Sequence, residues 1–411
     1  MSVVRDEPAV GREVCVAPRS PHGGADRSAM SDPHLPVVWD PRYGEYNFGP
    51  GHPFSMAHRE LGADLLAEAE GAERHFRWIR TIEPAQLSEL RRFHHEEYLQ
   101  LVEGASRLER RIFLDGGDTP AFLGCHEAAA RIVQGSIETV RAAIDRSGPA
   151  FHPAGGLHHA HPDRASGFCI YNDVALAVAA AHRALGRVAY VDIDAHHGDG
   201  VMYGFYSSGD VLNIDFHQDG RTLFPGTGDV GETGISDGAG LKVNLPLPPG
   251  AGDRALVGLF RRVARPMLEE FRPQAIVLQH GADGHAGDPL TELRYTSRGY
   301  TTLLNELLAF AEERCAGRLI VTGGGGYHAA HVALTLARAG YLLAHANELV
   351  RPDASLPEAW RREFETREGG PAPHTWGESP APGTDLWSAA EEESLVARLE
   401  SELGRRFPSS S

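Results

Sequence analysis

The strongest constraint in the sequence is a set of short apolar runs, each ending in a cluster of Asp, His or Gly. The runs are 187–193 (RVAYVDI), 211–216 (VLNIDF), 241–245 (LKVNL), 275–279 (AIVLQ) and 319–322 (LIVT). They are β-branched and continuous rather than alternating, which is the pattern of strands covered on both faces in a parallel sheet. Helical patterns at about 126–145, 172–185, 253–271, 299–315 and 329–346 lie between and around them. Alternating strands and helices predict a doubly wound α/β domain. No internal repeat and no break in composition occurs between about 35 and 350, so one large domain is expected there.

Composition narrows what that domain can do. Lys+Arg number 39 against 56 Asp+Glu, a formal charge of −17, which argues against binding to phosphate backbones. No apolar run approaches the ~18 residues that span a bilayer. Direct nucleic-acid and membrane partners are therefore not expected. The four cysteines are scattered without CxxC spacing, so neither a disulfide framework nor a thiolate zinc site is expected, and the setting is read as reduced and cytoplasmic. Lys242 is the only lysine; it sits in a strand-like run, so no catalytic lysine is expected, and the scarcity is ascribed to codon bias. Residues 1–33 are rich in Pro, Gly, Ser and Arg and read as a flexible tail without a secretory apolar stretch. The expected domain runs over 34–380. A Pro/Gly-rich loop at 368–385 leads to a peripheral acidic helix and frayed tail within 381–411.

In an open α/β sheet the site lies beyond the carboxyl ends of the strands. RVAYVDI runs into Asp194-Ala195-His196-His197-Gly198-Asp199, AIVLQ into His280-Gly281-Ala282-Asp283, and LIVT into four glycines and Tyr327. In extended chain Asp192, Asp194 and His196 point the same way. Two carboxylates and one imidazole, with Asp283 as the third ligand and a position left open, suit catalytic Zn²⁺ or Fe²⁺. Taken alone, the aspartates could equally cap the following turn. His158-His159, presented by Gly155-Gly156, supply a base and an acid at neutral pH. Asp192 and Asp199 are candidates to fix their tautomers. The glycine run fails the phosphate-loop and dinucleotide patterns. Its glycines would instead turn the chain tightly and swing Tyr327 to the metal, where its hydroxyl could donate to an oxyanion. Phe168 and Phe224 could wall a narrow apolar channel. Asp118, in Gly-Gly-Asp-Thr-Pro, is by default a turn residue.

These residues resemble the histone deacetylase superfamily. The matching segments are GGLHHAHPDRASGFCIYNDVALA (155–177), VAYVDIDAHHGDGV (188–201), FPGTGDVGETG (224–234), QHGADGHAGDPL (279–290) and TGGGGY (322–327), in the family's order. YGEYNFGPGHPFSMAHRE (43–60) looks like its N-terminal stretch, and QHGADGHAGDPLTEL and DTPAFLGCHEAA look closer to the bacterial acetoin-utilisation (AcuC-like) deacetylases than to acetylpolyamine amidohydrolases. The resemblance implies an arginase/deacetylase-like fold, a single eight-stranded parallel sheet with helices on both faces. It implies Zn²⁺, or Fe²⁺, on Asp194, His196 and Asp283. His159 paired with Asp199 would be general base and acid, His158 paired with Asp192 its electrostatic partner, and Tyr327 would stabilise the oxyanion. Gly167, Phe168 and Phe224 would line the tunnel for an acyl-lysine stem, with Leu290 at its mouth. Asp118 would bind the substrate backbone, and Arg59 would lie below the acetate-release cavity. Structural K⁺ is implied at Asp192, Asp194, His196, Asp215 and Phe216, and again at Phe205, Ser208, Val211 and Leu241. Asp215 replaces the hydroxyl common at its position, so it either strengthens that K⁺ site or pairs elsewhere. Gly284-His285 departs from the eukaryotic pattern beside the third metal ligand, which alters the rim.

The expected function is hydrolysis of the acetyl or acyl amide on the ε-amine of lysine in proteins or peptides. An acetylpolyamine or other small-amide amidohydrolase is the alternative on the same site. An arginase-type ureohydrolase needs a second aspartate close to Asp283, where His285 stands instead. A non-catalytic acyl-lysine binding module is disfavoured because every catalytic position holds the expected residue type.

Overall fold

The strands are short and, Phe76–Ile79 apart, buried throughout, so the sheet grows by stacking many of them side by side. In the computed structural model, which describes residues 33–68, 71–108, 112–377 and 385–408, eight strands form one sheet. They are β1 (Leu35–Val38), β2 (Phe76–Ile79), β3 (Ala150–His152), β4 (Val188–Asp192), β5 (Val211–Gln218), β6 (Lys242–Leu247), β7 (Ala275–Gln279) and β8 (Leu319–Thr322). All neighbours pair in parallel, in the order β2-β1-β3-β8-β7-β4-β5-β6. The five strands read from the apolar runs are present. β1, β2 and β3 escaped that reading because they have only three or four residues each and carry Pro36, Arg77 or His152 among their apolar side chains. The tail expected at 1–33 lies outside the described residues, Pro33 apart.

The helices are α1 (Met56–Glu68), α2 (Leu87–Leu90), α3 (Glu96–Ala105), α4 (Cys125–Arg146), α5 (Asp173–Leu185), α6 (Asp199–Gly204), α7 (Asp253–Leu259), α8 (Arg265–Phe271), α9 (Ser297–Arg314), α10 (Ala329–Leu343), α11 (Glu358–Glu368) and α12 (Ala389–Leu403). Alternate residues of each strand feed opposite layers. Ala189, Val191, Ile276, Leu278 and Val321 pack with α7 to α10, whereas Val188, Tyr190, Val277 and Ile320 pack with α4 and α5. The helix read over 253–271 is interrupted: Phe260–Ala264 forms a π-helical turn between α7 and α8. Pro266, in the first turn of α8, has no N–H to continue the α-helical ladder across that junction.

Register places the polar chemistry at one level. His152, Thr322, Gln279, Asp192, Asp215 and Asn244 are aligned across β3, β8, β7, β4, β5 and β6, and all are fully buried. The loops that follow β3, β8, β7 and β4 leave from four consecutive strands, so their residues converge.

The C-terminal segment, expected to be peripheral and frayed, is packed. Ser388 and Glu391 form a reciprocal cap on α12. Leu395, Val396, Leu399 and Trp387 join the apolar layer of the sheet. Past the helix, Phe407 is buried, and Arg262 donates to the Pro408 carbonyl (2.8 Å) while pairing with Glu393 (2.7 Å). Leu399→Ala should therefore cost about 2–5 kcal/mol in urea unfolding, as for a core leucine. A separate early transition for α12, or a loss under about 0.5 kcal/mol, which is a surface-like effect, would show that the helix is an appendage.

Candidate active site

Asp194 and His196 follow β4, and Asp283 follows β7. One ligand atom from each lies within 4.8 Å of the other two, and all three residues are buried. His196 Nδ1 stands 3.2 Å from Asp194 Oδ1 and 2.9 Å from Asp283 Oδ2. The other oxygens are held by backbone: Gly325 N–H donates to Asp194 Oδ2 (2.6 Å) and Ala195 N–H to Asp283 Oδ1 (2.8 Å). The approach of the β8 loop requires glycine, because a Cβ at Gly325 would overlap the Asp283 carboxylate. No Arg or Lys lies within 4.0 Å of either carboxylate among the described residues; their ion partners are histidines. Burial, and then Asp194, push the Asp283 carboxyl upward. Two buried carboxylates and one imidazole with no arginine or lysine beside them suit a divalent metal ion.

His158 and His159 stand beside this triad. Their Nε2 atoms are 3.1 Å apart. His158 Nδ1 donates to Asp192 Oδ2 (2.8 Å), and His159 Nδ1 donates to Asp199 Oδ1 (2.7 Å). Two Nε2 atoms this close share one proton. Burial opposes charge on His158, but Asp192 and Asp194 outweigh it and raise that imidazole's pKa. Burial, and then the charge on His158, pull His159 down to about 4 despite Asp199. His158 thus carries the proton and leaves a lone pair on His159 Nε2.

Around the pair the walls are aromatic. The Phe224 ring lies 5.1 Å from His159 and 6.5 Å from His196. Tyr327 lies 6.1 Å from both His196 and Phe168. Phe168 holds a left-handed backbone (φ 68°), a costly state for a bulky residue. Thr119 Oγ1 fixes it by accepting from its N–H (3.0 Å), and the Tyr46 hydroxyl donates to its carbonyl (2.6 Å). Gly167 has no room for a Cβ, which would sit 2.6 Å from His159 and 2.8 Å from Phe224. Leu290 and Phe224 are partly exposed and Asp118 is exposed, its carbonyl accepting from His52 (3.1 Å). Arg59 is buried, stacks over Phe54 at 4.3 Å, and donates to the carbonyls of Gly324 and Ser55. The Asp215 carboxylate accepts from His217 at Oδ1 (2.8 Å) and from Gly198 N–H at Oδ2 (2.8 Å).

Four positioning residues were not found in the sequence. Asp173 accepts from Leu157 N–H (2.7 Å), Gly156 N–H (3.1 Å) and Ser136, and so holds the loop that presents the two histidines. Asp288 accepts from Tyr327 N–H (2.8 Å). His161 donates to the second oxygen of Asp199 (3.0 Å). Gln279 donates to Gly156 O (2.9 Å) and ties the ends of β7 and β3 together. A carboxylate in the first turn of a helix was the only available signal for Asp173, and it equally describes an ordinary helix start.

Comparison with known proteins agrees with this arrangement. Residues 52–341 match the histone deacetylase domain. The chain is 35% identical to the acetoin utilization protein AcuC of Bacillus subtilis over 351 residues, 83% of this chain and 89% of that protein. It is 34% identical to a probable deacetylase of Archaeoglobus fulgidus (79% of this chain, 91% of that protein). It is also 34% identical to histone deacetylase RPD3 of Saccharomyces cerevisiae (72% and 69%). The crystal structure of the HDA15 HD domain superposes with a TM-score of 0.73 at 24% identity, covering 90% of this chain and 95% of that one, which shows a shared fold. With the carboxylate and histidine geometry described above, these matches show that the chain belongs to the histone deacetylase family.

Proposed function

We propose that the protein is a metal-dependent amidohydrolase that removes an acetyl or related acyl group from the ε-amine of lysine. The observation that carries this reading is the Asp194-His196-Asp283 triad set beside two imidazoles whose Nε2 atoms are 3.1 Å apart, with the Tyr327 ring 6.1 Å from that of His196. Zn²⁺ or Fe²⁺ held by Asp194, His196 and Asp283 would act as a Lewis acid toward the amide carbonyl and would acidify a water. His159 Nε2, unprotonated, takes the proton of the attacking water and returns it to the departing amine. Asp199 keeps the far nitrogen of His159 as a donor. His158, protonated against Asp192, supplies positive charge next to the reacting centre. Burial, and then Asp283 and Asp194, hold the Tyr327 hydroxyl far above its ordinary pKa, so it stays protonated and can donate to the oxyanion.

The apolar surfaces of Phe168 and Phe224 suit the methylene stem of lysine, with Leu290 and Asp118 at the mouth where a peptide backbone would pass. Arg59 below Gly324 fits a path for the released acid. The histone deacetylase names of relatives such as RPD3 support the acyl-lysine reading over the small-amide one. A binuclear ureohydrolase site finds no support, because the His285 ring lies against His331 (4.0 Å) where a second carboxylate would be needed.

The decisive assay is hydrolysis of acyl-lysine peptides of several chain lengths alongside acetylpolyamines. Tyr327→Phe is expected to lower kcat by about 10²–10³-fold, and His159→Ala by about 10²–10⁴-fold, both with metal content unchanged. Full activity in either variant would sink the assigned roles. Asp194→Ala and Asp283→Ala should lose the bound divalent ion by elemental analysis. Chelation should abolish turnover and one equivalent of Zn²⁺ or Fe²⁺ per chain should restore it; turnover in metal-free protein would exclude the mechanism.

A further inference from the structure

Lys242, the only lysine of the chain, is fully buried at the start of β6. No carboxylate lies within 4.0 Å of its ammonium among the described residues. Its hydrogen bonds go to main-chain carbonyls: Val211 O at 2.8 Å and Ser208 O at 3.3 Å. A buried cation must recover its lost hydration from fixed dipoles, and carbonyl oxygens do this for potassium as well as for an ammonium of similar size. Ser208 and Val211 are two of the four carbonyl positions expected to hold a second potassium ion. The other two carbonyls are engaged in backbone bonding: Phe205 O accepts from Ser208 N–H (3.0 Å) and Leu241 O from Asn213 N–H (2.9 Å).

We propose that the Lys242 ammonium is itself the cation of this cluster and that no potassium ion binds there. The chain leaves room for the lysine stem. Gly234, at φ +93°, lies against both the Gly238 carbonyl, which a Cβ would overlap, and Lys242 Cγ, which it would meet at 3.1 Å. Burial lowers the lysine's pKa to about 8, so the group is still mostly charged at neutral pH. Its bonds tie the turn after α6 and the start of β5 to β6, the edge of the sheet farthest from β2. The carbonyls and carboxylates at Asp192, Asp194, His196, Asp215 and Phe216 are untouched by Lys242. The inference is independent of the reaction assigned above, since its readouts are ion position and stability.

The test is anomalous diffraction from crystals of the full chain grown in rubidium chloride, a potassium surrogate. The wild type should show no rubidium at the carbonyls of Phe205, Ser208, Val211 and Leu241. Lys242→Ser should show it there, and its melting temperature should rise by several degrees from sodium to potassium chloride, more than that of the wild type. Lys242→Met, which keeps a stem without the charge, should melt lower than the wild type and gain nothing from potassium beyond the wild-type response. Rubidium at this cluster in the wild type overturns the proposal, as does a Lys242→Met variant as stable as the wild type or a Lys242→Ser variant with no added potassium response. Should neither variant fold, the wild-type rubidium map decides alone.

Discussion

Asp194 and Asp283 bring two carboxylates together in a buried site, and much of the surrounding architecture answers that arrangement. Burying an unpaired carboxylate is costly, and burying two side by side adds their repulsion. The chain meets part of the demand with backbone donors from Ala195 and Gly325. It uses no arginine or lysine: the ion partners of Asp192, Asp194, Asp199, Asp215 and Asp283 among the described residues are all histidines. Histidine can release its proton, so this compensation adjusts when a dication arrives. A fixed guanidinium in the same place would compete with the metal permanently.

The sheet turns this local chemistry into geometry. The histidine loop, the glycine-tyrosine loop, the Asp283 loop and the Asp194 loop leave from β3, β8, β7 and β4, which lie side by side. Gln279 and Asp173 then fix the loops to one another, through Gly156 O and through the N–H groups of Gly156 and Leu157. Asp288 does the same for Tyr327. Replacing any of these would shift reacting groups without removing one, and displacements of about 1 Å are enough to cost catalysis.

What the sequence revealed and what it hid follow one physical rule. Asp192, Asp194, His196 and Asp199 lie within eight residues at the end of a buried strand, so their association could be read from the sequence, although the strand stops at Asp192 and the chain bends over 194–196 rather than staying extended. Asp283 and Tyr327 were legible because each follows an unmistakable buried strand. Asp173, Asp288 and His161 act on groups 16 or more residues away, through contacts that exist only once the loops have packed. The short strands β1 to β3 are apolar only in the company of their neighbours. The C-terminal helix misled for the opposite reason: its acidic face dominates the composition, while Leu395, Val396 and Leu399 on the other face enter the core.

The two cation sites proposed for this chain would have different requirements. At the reaction centre a divalent ion held by Asp194, His196 and Asp283 would serve as a Lewis acid, which an ammonium cannot do because it only donates hydrogen bonds. At the β5–β6 edge nothing reacts, and the task is to satisfy carbonyls that the turn after α6 directs inward. There a covalently attached cation does the work of a free one without the entropy of capture and without dependence on the surrounding salt. The same reasoning explains why the only lysine of an arginine-rich chain is found at this point. A guanidinium is planar and too wide to sit as a point charge among carbonyl oxygens, whereas an ammonium is compact and donates in three directions.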